Sequence, residues 1–234
     1  MIDQAKQIES FCRFFRGEGL FEGLSLSNLP CQYTWPKRGE FPRLLNLDLR
    51  GTNFEKNIQL KRHFGGLWAR EDHLELARWI ISDWGGIKTN SDSTLQKYVA
   101  GIEDGTLELS ISGVASYSKI LSFVYPHRYA IYDARVAASL NLIQIIDETE
   151  NPVLWCDLPG RNSKIEGFKQ DEGRRAELKK FGWQQVKRTE CYRNYNNMLK
   201  TVLSYFPQSC LYELEMSLFA NAESLVDLLR SRYD

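Results

Sequence analysis

Residues 111–140 read ISGVASYSKILSFVYPHRYAIYDARVAASL, and the fold class turns on how this stretch is parsed. Gly113 supplies a turn. Ile120, Leu121 and Val124 then recur at helical spacing, which predicts a helix over about 116–125. Pro126 ends it, because proline lacks the N–H and clashes with the preceding turn. Asp133 stands where a helix N-cap belongs, and Val136, Ala137 and Leu140 form the apolar stripe of the helix it opens. Gly113–Ser116 is expected to form the turn of a helical hairpin.

The flanking sequence extends this pattern. Asp72 and Glu75 have capping-box spacing, Leu76, Ala77, Ile80, Ile81 and Trp84 form one stripe, and Gly85-Gly86 is a stop. A second helix is expected from Ser93 or Thr94, with Leu95, Tyr98, Val99 and Ile102 inward, ending at Asp104-Gly105. Helical patterns resume around Glu172–Phe181, Glu190–Tyr205 and Leu211–Arg230, the last with Leu214, Leu218, Leu225 and Leu229 as its core stripe. Gly17–Gly51 is rich in glycine and proline and reads as irregular connection, with a short strand expected near Gln32–Trp35. Asn151–Phe168 reads as a long loop. β-branched alternation is scarce, so the expected class is all-α, mostly or entirely helical. The expected organisation is a single domain over 1–234, whose irregular N-terminal connection covers 17–60.

Composition narrows the class further. The 234 residues carry 30 Lys and Arg against 30 Asp and Glu. That balance excludes a protein held on nucleic acid by bulk charge, so any such contact must come from a local patch. The window Arg174–Lys200 is one candidate, with eight bases and two acids. It is either a phosphate-contacting face or a pair of solvated helix faces balanced by acidic neighbours. No run approaches the apolar length of a membrane span, and residues 1–15 lack a signal-peptide core. A cytoplasmic protein with no membrane association is expected. Five scattered cysteines read as free thiols of a reducing compartment. Metal-ligand spacings and phosphate-cradling glycine loops are absent, so no metal and no cofactor are expected. Glu177-Leu178-Lys179 matches a nuclease fragment, but it lies in a charged helical pattern rather than on an apolar strand.

Ile111-Ser112-Gly113-Val114-Ala115 followed by Ala130-Ile131-Tyr132-Asp133-Ala134-Arg135-Val136 resembles the helix-hairpin-helix DNA glycosylase superfamily. There a hairpin L-P-G-V-G leads into an h-h-D-x-[HR]-[VI] element. Ser118-Lys119-Ile120-Leu121, Pro126 and Asp133–Val136 are most similar to bacterial 8-oxoguanine-DNA-glycosylase-like proteins. The likeness covers about 30 residues. Two positions depart from it: Ala115 replaces the second hairpin glycine, and the endonuclease III lysine would fall at Tyr117, two residues before Lys119.

The resemblance implies a DNA base-excision glycosylase, with abasic-site lyase activity, that removes an oxidised or otherwise modified base such as 8-oxoguanine. The alternative is a catalytically inactive DNA-binding or assembly module on the same fold, for example a subunit of a bacterial anti-phage defence system. Lys119 and Asp133 are the catalytic candidates; the other reading of Lys119 is an ordinary basic residue, which leaves at most a monofunctional glycosylase without lyase activity. A desolvated lysine can attack a sugar carbon, and a carboxylate can stabilise a cation-like sugar. Asp133 is equally an ordinary N-cap. Backbone N–H groups at Gly113 and Ala115 are candidates for one DNA phosphate, and Gly113 is equally a plain turn glycine. Arg135 reads as a phosphate contact or as a surface charge paired with Glu103 or Asp104. Arg161 and Lys164 lie in a turn-rich segment that either closes over DNA or simply connects. Arg174, Arg175, Lys179 and Lys180 are further DNA-binding candidates. Phe219 is a candidate base-stacking ring or a core residue, and His127 an exposed loop residue. The implied partner is double-stranded DNA, with a protein partner as a second source of DNA affinity.

Overall fold

Two helices at the centre of the molecule have almost no polar face. The computed structural model describes residues 4–35, 47–170 and 183–232. Within them, helices α1 (Gln4–Arg16), α2 (Leu29–Gln32), α3 (Asn53–Trp68), α4 (His73–Arg78), α5 (Asp92–Glu103), α6 (Val114–Val124), α7 (Ala134–Ile146), α8 (Ser163–Gln170), α9 (Cys191–Leu203) and α10 (Leu211–Arg230) follow one another. In α7 every residue from Val136 to Ile146 is buried, and α6 is buried throughout except at Ala115. Helices buried on nearly every face, mostly by apolar residues, lie inside a packed molecule. Here α10 covers α7 along its length, α3 packs on α6, and α1 packs on the far end of α7. The main apolar core runs from Phe11 to Leu229, and a smaller cluster gathers Leu29, Tyr33, Ile58, Tyr212 and Met216.

Several polar residues inside this core are hydrogen-bonded, and they organise the chain around it. Ser139 donates to the Leu218 carbonyl at 2.6 Å. Asn141 accepts from the Trp155 N–H, and the Gln144 amide both donates to and accepts from the Val153 backbone. These bonds hold 153–155 against α7. There β1 (Val153–Leu154) pairs in parallel with β2 (Gln184–Gln185).

The sequence reading needs four corrections. Residues 151–168 are not one loop: they contain β1 and the start of α8, which the buried amides of α7 and the apolar Ile165 and Phe168 stabilise. Gln32–Trp35 forms no strand; 29–32 is a helical turn opened by Pro30. The irregular N-terminal segment stops well before residue 60, because Thr52 and Glu55 form a capping box that starts α3. The turn before α6 lies a few residues earlier than expected. Gly113 is the N-cap in left-handed conformation (φ +71°), and Val114–Ser116 are already helical. The chain is therefore mostly, not entirely, helical.

Other boundaries agree closely. Asp72 caps α4 through the Leu74 and Glu75 N–H groups, Asp133 caps α7, and α10 spans Leu211–Arg230 as read. The helix expected at Glu172–Phe181 lies outside the described residues. After α4 the backbone widens into a π-helical turn, Trp79–Trp84, ending at Gly85. Such turns are rare and concentrate at functional sites. Among the described residues no helix is long and apolar enough to cross a membrane, and no group of three or more His, Cys, Asp or Glu could hold a metal ion.

Candidate active site

Helical periodicity decides which residues of α6 meet the solvent-accessible cleft. Ala115, Ser116 and Lys119 lie at i, i+1 and i+4, so they share one face, and all three line a cleft of about 880 Å³. Tyr117 points the other way. It is fully buried, and its hydroxyl donates to the Ser110 carbonyl. The lysine position expected from the endonuclease III pattern is thus a core position in this chain, and the amine that α6 presents to the cleft is Lys119.

Lys119 is only 5% exposed, and its Nζ donates to the Ala115 carbonyl at 2.7 Å. Burial lowers its pKa, Asp133 and Glu215 oppose that shift, and Lys61 adds to it. The space for its side chain depends on Gly85. A Cβ there would stand 2.7 Å from Lys119 Cδ and 2.8 Å from the Ile80 carbonyl oxygen. The π-helical turn thus delivers a glycine where only a glycine fits. Gly113 is constrained in a similar way, since its Cβ would fall on the Tyr98 hydroxyl.

Asp133 fills its structural role with one oxygen. Oδ1 accepts from the Arg135 and Val136 N–H groups, both at 3.0 Å. Among the described residues, Oδ2 has no hydrogen-bond partner. The segment before it is clamped: Tyr192 donates to the Ala130 carbonyl, Tyr195 to the Ile131 carbonyl, and Ser118 Oγ accepts from the Tyr132 N–H. The carboxylate therefore sits at the end of a segment held by side-chain hydrogen bonds to its backbone.

Lys119 and Asp133 also line a smaller inner cavity of about 40 Å³ below the cleft. Its walls are Tyr33, Trp35, Trp84 and Phe219, and Glu215 is a second carboxylate lining it. Trp35 and Phe219 border both spaces; their rings meet nearly edge-on at 5.4 Å. At this volume the cavity has room for only a few water molecules. Trp84 is fixed by a bond from its Nε1 to Asn57 Oδ1 at 2.8 Å, and Trp35 Nε1 donates to the Trp84 carbonyl. Glu215 is 2% exposed and accepts from Lys61 Nζ at 3.1 Å.

The rim of the cleft is basic. Lys88, Lys119, Arg135 and Arg161 line it, with Asp133 as the one acid among the described residues. Arg135 pairs with Glu223 at 2.6 Å, not with Glu103 or Asp104, and its guanidinium lies 5.0 Å above the Phe219 ring. Glu103 is instead paired with His73. Arg161 donates to the Gly86 carbonyl across the cleft mouth.

Six of the residues singled out in the sequence therefore share one cleft: Ala115, Lys119, Asp133, Arg135, Arg161 and Phe219. Gly113 is exposed but outside it, and Lys164 is paired with Asp227. Arg174, Arg175, Lys179 and Lys180 lie outside the described residues. His127 is exposed, as read. The sequence reading missed Tyr33, Trp35, Trp84, Gly85, Lys61 and Glu215. Two of these left a signal: Glu215 sits between Leu211, Leu214 and Leu218 on an apolar stripe, and Lys61 follows Leu60 three residues before Phe64. An ionisable residue on a core stripe is costly unless it is paired. No protein-family model, curated protein or solved structure matches this chain.

Proposed function

We propose that this chain is a DNA base-excision glycosylase with abasic-site lyase activity, acting on an oxidised or otherwise modified base. The observation that carries the reading is the shared position of a buried amine, Lys119, and a carboxylate, Asp133, in an aromatic cavity beneath a basic cleft. The cations of the rim face DNA phosphates, which supplies a local patch in a protein of zero formal charge. The extruded base enters past Phe219 and Trp35, the half-buried rings that separate cleft from cavity, and it must displace at least one of them.

The chemistry follows from the two groups. As the glycosidic bond lengthens, positive charge develops on the sugar, and the free Oδ2 of Asp133 stabilises it. The base departs with the bonding electron pair and takes up a proton. Neutral Lys119 adds through its Nζ lone pair to C1′, loses a proton, and opens the sugar to an imine. The bond to the Ala115 carbonyl uses an N–H of the amine and leaves the lone pair free. Loss of a C2′ proton then expels the 3′ phosphate.

Duplexes that each carry one modified base, treated with alkali after incubation, reveal base release as strand breaks. The reading expects breaks at one class of base and a borohydride-stable adduct. Protein that binds these duplexes, releases no base from a broad panel and forms no adduct would be the inactive module instead.

A further inference from the structure

Glycosylase chemistry at Lys119 needs a neutral amine, yet two carboxylates line the same cavity. Either could hold Lys119 as an ammonium ion, which has no lone pair for attack. In the structure Glu215 is paired elsewhere and Asp133 has one oxygen committed to the cap of α7. Asp133 Oδ1 takes two backbone N–H groups of α7. Glu215, from α10, is paired with Lys61 from α3 at 3.1 Å, with side chains 3% and 1% exposed. Lys61 Nζ also lies 3.4 Å from Ser122 Oγ and 5.0 Å from the centre of the Phe123 ring, so it is enclosed by α6 as well.

A buried ion pair is weak evidence for stability, because desolvation offsets the attraction. Its place beside the reacting amine calls for another account. We propose that Lys61 is a positioning residue for charge: by occupying Glu215 it prevents a Glu215–Lys119 ion pair and leaves Lys119 as a free amine. One lysine is thus committed so that another can react. The inference rests on the reading of Lys119 as the imine-forming residue.

The titratable groups facing Lys119 are Asp133 from the start of α7, Glu215 from α10 and Lys61 from α3. Tyr33 completes the cavity wall and is kept neutral by burial. The directions agree with the geometry: burial and Lys61 push Lys119 down, while Asp133 and Glu215 push it up. Removing Lys61 should therefore raise the pH at which Lys119 becomes reactive, and removing the Glu215 charge should lower it. A merely structural pair would give two variants that change in the same direction, through lost packing.

The test uses the full chain and two probes. Propanal with cyanoborohydride alkylates a neutral amine: Nζ adds to the aldehyde carbon, water leaves, and hydride reduces the imine. Peptide mass spectrometry reads the Lys119 modification against pH. A duplex with an abasic site and borohydride reads the same step on DNA. Relative to wild type, Lys61→Met should shift the Lys119 midpoint up and Glu215→Gln should shift it down. Each unit corresponds to about a tenfold change in neutral amine below the midpoint. Midpoints that move together, or not at all, overturn the proposal, as does a wild-type Lys119 that propanal never labels. Where a single variant fails to fold, Lys61→Met/Glu215→Gln removes both charges together, and its midpoint should return to within about half a unit of wild type. A displacement of about a unit or more there also overturns it. Opposed shifts with propanal but no adduct on DNA would leave the charge control standing and remove the glycosylase reading.

Discussion

The two faces of α6 treat polar groups in opposite ways. On the Tyr117 side, hydroxyls are consumed by structure. Tyr117, Tyr192 and Tyr195 are fully buried and donate to the Ser110, Ala130 and Ile131 carbonyls. Their rings contact one another, Tyr117 to Tyr192 at 5.5 Å. On the Lys119 side, two spaces open, one carboxylate oxygen has no hydrogen-bond partner among the described residues, and the buried amine is shifted toward its neutral form. The comparison teaches a division of labour. The tyrosine side fixes the chain that ends in Asp133, and the lysine side leaves that residue free to act.

Four experiments would break or sharpen this contrast. The largest effect is expected from Lys119→Gln, which should abolish the borohydride adduct while DNA affinity stays near wild type; an undiminished adduct would move the chemistry elsewhere. Asp133→Asn should slow base release by on the order of 100-fold, since the amide cannot stabilise developing positive charge, and should lose little stability because Asn also caps helices. Release kinetics and thermal melting separate those two effects. Gly85→Ala places a methyl against Lys119 Cδ, and we expect adduct formation to slow by roughly tenfold, about 1.4 kcal/mol. An unchanged rate would show that the lysine does not need this path.

The smallest functional effect belongs to the tyrosine face. Tyr192→Phe leaves the Ala130 carbonyl without that partner and should cost about 1–2 kcal/mol, roughly 2–8 °C in melting temperature, with release rates within about twofold of wild type. A large catalytic loss there would mean that the two faces are not separable.

The pH dependence follows from the buried amine. Its folded pKa lies below that of the unfolded chain, so the unfolded state binds more protons between the two values. Stability should therefore rise with pH across that window, reach its full contribution above the ordinary lysine value, and be lost as pH falls through the depressed value. Lys119→Met should flatten this part of the profile, which denaturant titrations at several pH values would show.

The sequence made the helices of 111–140 legible because caps, stripes and stops there agree with one another, and Lys119, Asp133 and Phe219 were read there or on α10. The remaining walls were harder to see for physical reasons. Trp35 lies in a glycine- and proline-rich segment with no period to fix its direction, and Trp84 and Gly85 were read as the end of a helix. What makes Gly85 functional is a close approach from another helix, which no local pattern encodes. Lys61 and Glu215 are 154 positions apart, so each is visible only as an anomaly on its own stripe. Arg135 lies on a readable helix start, but its partner Glu223 is set by the packing of α10 on α7.

The central claim is that Lys119 is the residue bonded to DNA during the reaction. Trapping the wild-type chain with borohydride on a duplex carrying an abasic site, then digesting both polymers and sequencing the modified peptide, tests it directly. We expect the sugar remnant on Lys119 alone. A remnant on Lys61, Lys88 or the N-terminal amine, or no remnant at all, would contradict the claim.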